Sequence, residues 1–240
     1  MDEDARKYGA QTERLPVLVV GGSRGIGRAS AVALHGAGHP VVAWSRSVRE
    51  GASDPAMRGI ARAAVDVREP DAVAAEFTRS ADAGRRPEVL VYSAATVGRG
   101  TVGTIGARTW RDTLEVNAVG AHTVLDQYLR AFGRHPSRVI GLTSEAALFP
   151  AAGRSAYAAS KAALGTFLEA YREEARGFGT LVTVLYLGKV NTTLSRRSTA
   201  DNMRALQPPD VAQVLVCLLE LAPHVEVRSL EVTSVRSKYG

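Results

Sequence analysis

Residues 15–27 read Leu15-Pro16-Val17-Leu18-Val19-Val20 and then, without a break, Gly21-Gly22-Ser23-Arg24-Gly25-Ile26-Gly27. The first six are an apolar, β-branched run of the length a buried strand needs. The heptapeptide is a turn that only glycines make this tight. Residues 28–35 follow as an Ala-containing helical stretch, which Gly36 and Gly38 stop. Strand, glycine turn and helix in this order let backbone N–H groups approach a pyrophosphate at a helix N-terminus. A Gly-rich heptapeptide alone is a weak signal; its place between a strand and a helix gives it meaning.

The same alternation continues along the chain. Residues 40–44 predict a second strand, 60–67 a third, and 89–91 the start of a fourth. Residues 139–144 predict a fifth, 181–187 a sixth, and the alternating run 225–232 a seventh. Helices are expected over 70–83, over 109–132, from Ser155 to about Ala175, and from Pro208 through Leu221. In the second of these, Trp110, Leu114, Ala118, Ala121, Leu125, Tyr128, Leu129 and Phe132 recur at threes and fours, and Asn117 interrupts the apolar face. Two readings stand for Asn117: a buried amide bonded to nearby backbone, or an amide at a local helix distortion that holds a water near Lys161. Strands alternating with helices imply one Rossmann-type, doubly wound domain: seven parallel strands with helices on both faces. Its expected bounds are residues 15–233, with polar tails over 1–14 and 234–240.

Ligands of such sheets bind beyond the carboxyl ends of the strands. Gly21, Tyr92, Ser144 and Gly188 all fall at such ends. After the second strand, Ser45 and Arg46 stand where an acidic residue would favour the ribose hydroxyls of NAD. Arg24 lies in the glycine turn. Two guanidiniums and a hydroxyl suit a ribose 2′-phosphate, which favours NADP(H) over NAD(H); the alternative is that both arginines face solvent. Asp66, at the end of the third strand, either accepts from an adenine amino group or caps the helix that follows.

The residues for chemistry lie between 139 and 161. Tyr157 and Lys161 are four apart on a predicted helix and so share a face. An ammonium beside a phenol favours the phenolate, and a tuned tyrosine can give or take a proton at a carbonyl or alcohol oxygen. Ser144, thirteen residues before Tyr157, can hold the same oxygen.

Composition narrows the rest. With 240 residues, 45% hydrophobic and 22% charged, the chain can bury one large α/β core. The one cysteine, Cys217, excludes an internal disulfide, and the five histidines show no ligand spacing, so no metal is expected. No apolar run approaches the ~18 residues that span a bilayer, and the N-terminus has no apolar signal core. The expected location is the cytoplasm. The net charge of +6 is spread along the chain, without a basic helix or an aromatic-interleaved basic strip, so nucleic acid is not an expected partner. Arg154, Arg196, Arg197 and Arg204 hint at a polar or anionic small molecule.

Taken together, these motifs resemble the short-chain dehydrogenase/reductase family over almost the whole chain, residues 15–232. The family's glycines match Gly21, Gly25 and Gly27, and its catalytic Asn, Ser, Tyr and Lys match Asn117, Ser144, Tyr157 and Lys161. Gly188 and Thr192 match its sixth-strand loop. The resemblance implies cofactor contacts from Gly21, Ser23, Arg24, Gly25, Ile26, Gly27, Ser45, Arg46, Asp66, Val67, Ser93, Ala94, Ala95, Tyr157, Lys161, Gly188, Val190 and Thr192. It implies hydride transfer between a nicotinamide and a carbonyl carbon, with Tyr157 as general acid. It also implies a homodimer or homotetramer built on the two long helices. Three places depart from the family pattern: Val20 for Thr, Tyr92-Ser93-Ala94-Ala95 for Asn-Asn-Ala-Gly, and Leu187 for Pro. The expected function is therefore NADPH-dependent reduction of a small-molecule ketone or other carbonyl compound to an alcohol. The departures leave two alternatives, nucleotide binding without redox turnover and an epimerase or dehydratase that returns its cofactor unchanged.

Overall fold

The computed structural model describes residues 14–46, 54–194 and 198–236. The expected tails fall largely outside them, as do Arg196 and Arg197. Seven strands form a single sheet: β1 (Val17–Val20), β2 (Val41–Ser45), β3 (Ala61–Ala64), β4 (Val89–Tyr92), β5 (Arg138–Leu142), β6 (Leu181–Leu187) and β7 (Ser229–Val232). All neighbours pair in parallel, in the order β3-β2-β1-β4-β5-β6-β7. This is the doubly wound fold that the sequence predicts.

Parallel strands covered on both faces bury side chains of both parities, which is why β1 and β4 are uninterrupted apolar runs. On one face Val17, Val19, Val89 and Val91 pack with Leu34 of helix α1 (Gly25–Gly36) and with Leu215 of a C-terminal helix. On the other, Leu18, Val20, Leu90 and Tyr92 pack under Phe77, Tyr128, Leu164 and Leu168. Those four come from α2 (Pro70–Asp82), α4 (Gly120–Phe132) and α5 (Ser155–Ala175). The remaining helices are α3 (Ala107–Leu114), the short α6 (Thr199–Arg204) and α7 (Pro208–Glu220). The last begins with proline at its first turn and a reciprocal Gln207–Asp210 cap.

The structure differs from the sequence reading in four places. The third strand is the four residues of β3, and the seventh begins at Ser229 rather than at Val225. Residues 199–204, for which no helix was expected, form α6. The expected long helix over 109–132 is two helices joined by a π-helical turn, Glu115–Val119. At the outer edge, β7 is held by Arg172 of α5. Its Nε donates to Val182 O at 3.1 Å and its Nη2 to Arg228 O at 2.8 Å. Glu226 Oε1 lies 3.7 Å from the same Nε.

Candidate active site

The glycine turn connects β1 to α1 against the loop that leaves β4. Gly21 has φ +88°, and a β-carbon there would lie 2.6 Å from Ala94 N, so only a hydrogen fits. A β-carbon on Gly27 would lie 2.3 Å from Gly21 O, so Gly27 lets the first turn of α1 sit directly on the strand end. The first turn of α1 has no acidic residue and its N-cap, Arg24, makes no side-chain cap, which leaves the helix N–H groups for an anion.

A cleft of about 720 Å³ runs along this turn and across the carboxyl ends of the strands. Of the residues expected at a cofactor, Gly21, Ser23, Arg24, Gly25, Ile26, Ser45, Arg46, Asp66, Val67, Ser93, Ala94, Ala95, Tyr157, Lys161 and Thr192 line it. Three do not. Gly27 is packing beneath the turn, and Gly188 and Val190 line a second, adjoining cavity. The sequence reading missed Arg62 and Arg68, which line the cleft near Arg46 and Asp66. The register that sets Arg62 beside Ala43 of β2 carries the signal for the first.

The charges at this end of the cleft are uneven. Arg68 Nη2 lies 2.6 Å from Asp66 Oδ2, and the Arg68 N–H donates to Asp66 Oδ1 at 3.1 Å. The bond from the Arg68 guanidinium holds the Asp66 carboxyl below the usual carboxylate range. Asp66 therefore braces the turn at Arg68; the N-cap of α2 is Glu69, which makes no side-chain cap, so Asp66 does not cap that helix. Asp54 is taken by Arg28, whose Nη2 donates to Asp54 Oδ1 at 2.6 Å. Arg24, Arg46 and Arg62 form no ion pair with any described carboxylate.

At the other end, α5 brings up Tyr157 and, one turn on, Lys161. Lys161 is 3% exposed, and its Nζ donates to Leu142 O, the last residue of β5, at 2.7 Å. Burial pushes its ammonium down to about 7. Ser144 begins the short turn Glu145–Ala147, and its Oγ accepts from Ala146 N–H at 3.2 Å. Ser144 lines the second cavity, of about 410 Å³. Ile26, Thr143, Tyr157, Leu187, Thr192 and Leu194 line both cavities, so the two adjoin at these residues, Tyr157 among them.

Asn117 is fully buried in the π-helical turn and lines neither cavity. Its Nδ2 donates to Thr96 O and to Ser160 Oγ, both at 2.9 Å, and its Oδ1 accepts the Thr96 N–H at 2.7 Å. Both amide protons are thus spent. The side chain fastens the loop after β4 to α5, and the π-helical turn is the local helix distortion that the second reading of Asn117 expected. Tyr92, one of the departures, fits the same turn. Its hydroxyl donates to Val116 O at 2.5 Å, and burial raises its pKa.

The roof of the site comes from the chain after β6. Thr192 sits over the glycine turn, 3.4 Å from where a Gly25 β-carbon would be. The Gly188 N–H donates to Val232 O of β7 at 2.9 Å, and Asn191 N–H to Leu206 O at 2.8 Å. Among the described residues no group of three or more His, Cys, Asp or Glu could hold a metal, and no helix is long and apolar enough to cross a membrane.

Known proteins share both the sequence and the architecture. An oxidoreductase of Myxococcus xanthus (strain DK1622) is 35% identical over 212 residues, covering 82% of this chain and 81% of the relative. The 2,3-dihydro-2,3-dihydroxybenzoate dehydrogenase of Escherichia coli (strain K12) is 29% identical over 181 residues, covering 75% and 71%. Among solved structures, an alcohol dehydrogenase from the archaeon Thermococcus sibiricus, complexed with 5-hydroxy-NADP, superposes with a TM-score of 0.84 at 22% identity, over 94% of this chain and 99% of that one. The model of the family described as short chain dehydrogenase matches residues 16–203. With the glycine turn, the parallel sheet and the Tyr157–Lys161 helix in place, this chain belongs to the short-chain dehydrogenase family of oxidoreductases.

Proposed function

We propose that the protein is an NADPH-dependent reductase of a small carbonyl compound. The observation that carries this reading is the meeting of the two cavities at Tyr157, beside a buried lysine and below a glycine turn of nucleotide-binding form. The cleft fits the cofactor on its own chemistry. The close approach at Gly21 and the uncapped start of α1 suit a pyrophosphate. Arg24 and Arg46, with Arg62 near them, suit a 2′-phosphate because no described carboxylate pairs with them.

Bound NADPH supplies a hydride. The protein's own groups handle the proton and the geometry. Tyr157 O–H donates to the oxygen of the carbonyl as it becomes an alkoxide, so the product is the alcohol. Lys161 places a titrating ammonium one turn from Tyr157, where a positive charge favours the phenolate that remains. Ser144, at the mouth of the second cavity, orients the carbonyl oxygen. Asn117 acts at a distance, by holding Thr96 and the Ser160 turn of α5. Donors fixed around a developing oxyanion typically lower a barrier by several kcal/mol. The enzyme is read as cytoplasmic and homo-oligomeric.

Ala95 stands in the cleft where the family pattern has glycine, and this favours a second reading: cofactor binding without turnover. One experiment separates the two. Titration with NADPH and NADH, followed by fluorescence, should give tight NADPH and weak NADH binding, and ketones should then oxidise the bound NADPH. Tyr157→Phe should keep NADPH binding and lose turnover by about a hundredfold or more. Binding with no reduction on any carbonyl would favour the second reading; full activity in Tyr157→Phe would remove the phenol from the acid role.

A further inference from the structure

The second cavity carries information about what is reduced. Two loops build its outer wall, the one after β4 and the one before α5. They are tied together: Gly100 pairs with Arg154 in a parallel bridge, and the Gly100 N–H donates to Gly153 O at 3.1 Å. Gly100 has φ +142°, and a β-carbon there would lie 2.9 Å from Ile105 Cβ, so the turn at the tie has one shape. The tie sets Arg99 of one loop and Arg154 of the other against the same cavity. Arg154 is the N-cap of α5, three residues ahead of Tyr157 in the chain, and both line this cavity.

Neither guanidinium has an ion pair with a described carboxylate. The lining holds three cations, Arg99, Arg154 and Lys189, against the carboxylate of Glu145. Lys189 has an interaction of its own, so the two arginines carry the recognition. Two like charges held at one cavity repel each other, and the repulsion turns into attraction when an anion sits between them. Val97, Phe149 and Leu187 add an apolar stretch of wall that suits the carbon skeleton, beside the hydroxyls of Thr143, Ser144, Tyr157 and Thr192.

We propose that this cavity takes a carbonyl compound bearing an oxyanion, a carboxylate or a sulfonate, a few bonds from the carbon to be reduced, and that Arg99 and Arg154 clamp the anion. The inference rests on the reductase reading and names the substrate class of that site. Forked guanidiniums bind such planar or trigonal oxyanions through paired N–H bonds, which fixes the orientation of the molecule as well as its affinity. Arg99 and Arg154 are specificity residues here, and Tyr157 remains the acid.

The test uses the full chain with NADPH and a matched pair of substrates, a 3-oxo carboxylic acid and its methyl ester, with an aldehyde sulfonate as a second anion. The acid should exceed the ester in kcat/KM by about tenfold or more. Arg99→Gln and Arg154→Gln should each lower the acid-to-ester ratio by about ten- to a hundredfold, as expected for the loss of a charge-assisted hydrogen bond. Arg99→Lys and Arg154→Lys should restore part of it. NADPH titration of each variant reports whether the cofactor cleft is folded; if Arg154→Gln fails there, Arg99→Gln in the loop decides. Equal or better turnover of the ester by the unmodified protein, or a ratio unmoved in both glutamine variants, overturns the inference and leaves the reductase intact. Loss of NADPH binding together with no turnover of any substrate by the unmodified protein overturns the reductase reading, and the anion clamp with it.

Discussion

Lys161 is an ammonium group 3% exposed at the floor of the cleft, with Leu142 O at 2.7 Å as its partner. Its pKa is about 7 in the folded chain, against an ordinary value of 10.5. Between those values the unfolded chain binds more protons than the folded one, so stability from this group rises with pH. Below about 7 the full cost of burying the charge is present; above about 10.5 it is gone. Burial raises the pKa of Tyr92 and Tyr171, which acts in the opposite direction above pH ~10, so the clean window is pH 7 to about 9.5. Across it the cofactor-free protein should gain thermal stability, and Lys161→Met should flatten that slope. Parallel slopes for the two proteins would mean that Lys161 is not the group that titrates. That Tyr157 and Lys161 share a helix and one cleft was legible because a spacing of four is a local property of helices. The hydrogen bonds of Asn117 were not, since its partners are Thr96 and Ser160, 21 and 43 residues away, and no periodicity encodes a hydrogen bond across such a separation.

At the scale of elements, the π-helical turn Glu115–Val119 depends on a small residue just beyond it. A β-carbon on Gly120 would lie 2.6 Å from the Tyr92 hydroxyl and 2.7 Å from Val67 Cγ2. The tyrosine at the end of β4, a departure from the family pattern, is therefore accommodated by a glycine at the start of α4. Gly120→Ala should destabilise the protein by about 1–3 kcal/mol through overpacking. Adding Tyr92→Phe should recover part of that loss, because it removes the nearest atom. Urea denaturation of the single and double variants measures the coupling, and strictly additive losses would show that the two residues do not share the space. Element type was readable wherever the pattern was long, as in β6, whose bounds agree with the sequence to the residue. It was less readable at the ends. Residues 225–228 alternate like a strand but precede β7: the ladder with β6 begins at Val184 and Ser229, and ahead of it β6 reaches this segment through single bonds, Val184 N–H to Arg228 O at 3.0 Å and Thr183 Oγ1 to Val227 O at 2.7 Å. The π-helical turn was readable only as one of two readings of Asn117. Apolar spacing at threes and fours tolerates one widened turn, and only the side chains that enter the widening, Tyr92 and Asn117, reveal it.

For the molecule as a whole, the order of the sheet determines where the weak edge lies. β7 has one neighbour, β6, and Arg172 is the clasp that reaches it from α5. Arg172→Met should leave the Arg228 and Val182 carbonyls without their guanidinium, costing about 1–3 kcal/mol. Hydrogen exchange should quicken in β7 before it does in β1 or β4; uniform exchange across the sheet would assign Arg172 no such local role. The fold class and most of the cleft were legible at this scale because each parallel strand must end at the same side of the sheet. What the sequence did not show was how the two cavities share Tyr157, which depends on three loops from distant parts of the chain. One of those loops has a further consequence. The segment after β6 hangs from β7 by the bond between Gly188 N–H and Val232 O. A ribosome makes the glycine turn well before β7. The emerging chain can thus form its nucleotide end before it has a substrate side, and the bond that ties Gly188 to the sheet edge waits until residue 232 has left the exit tunnel.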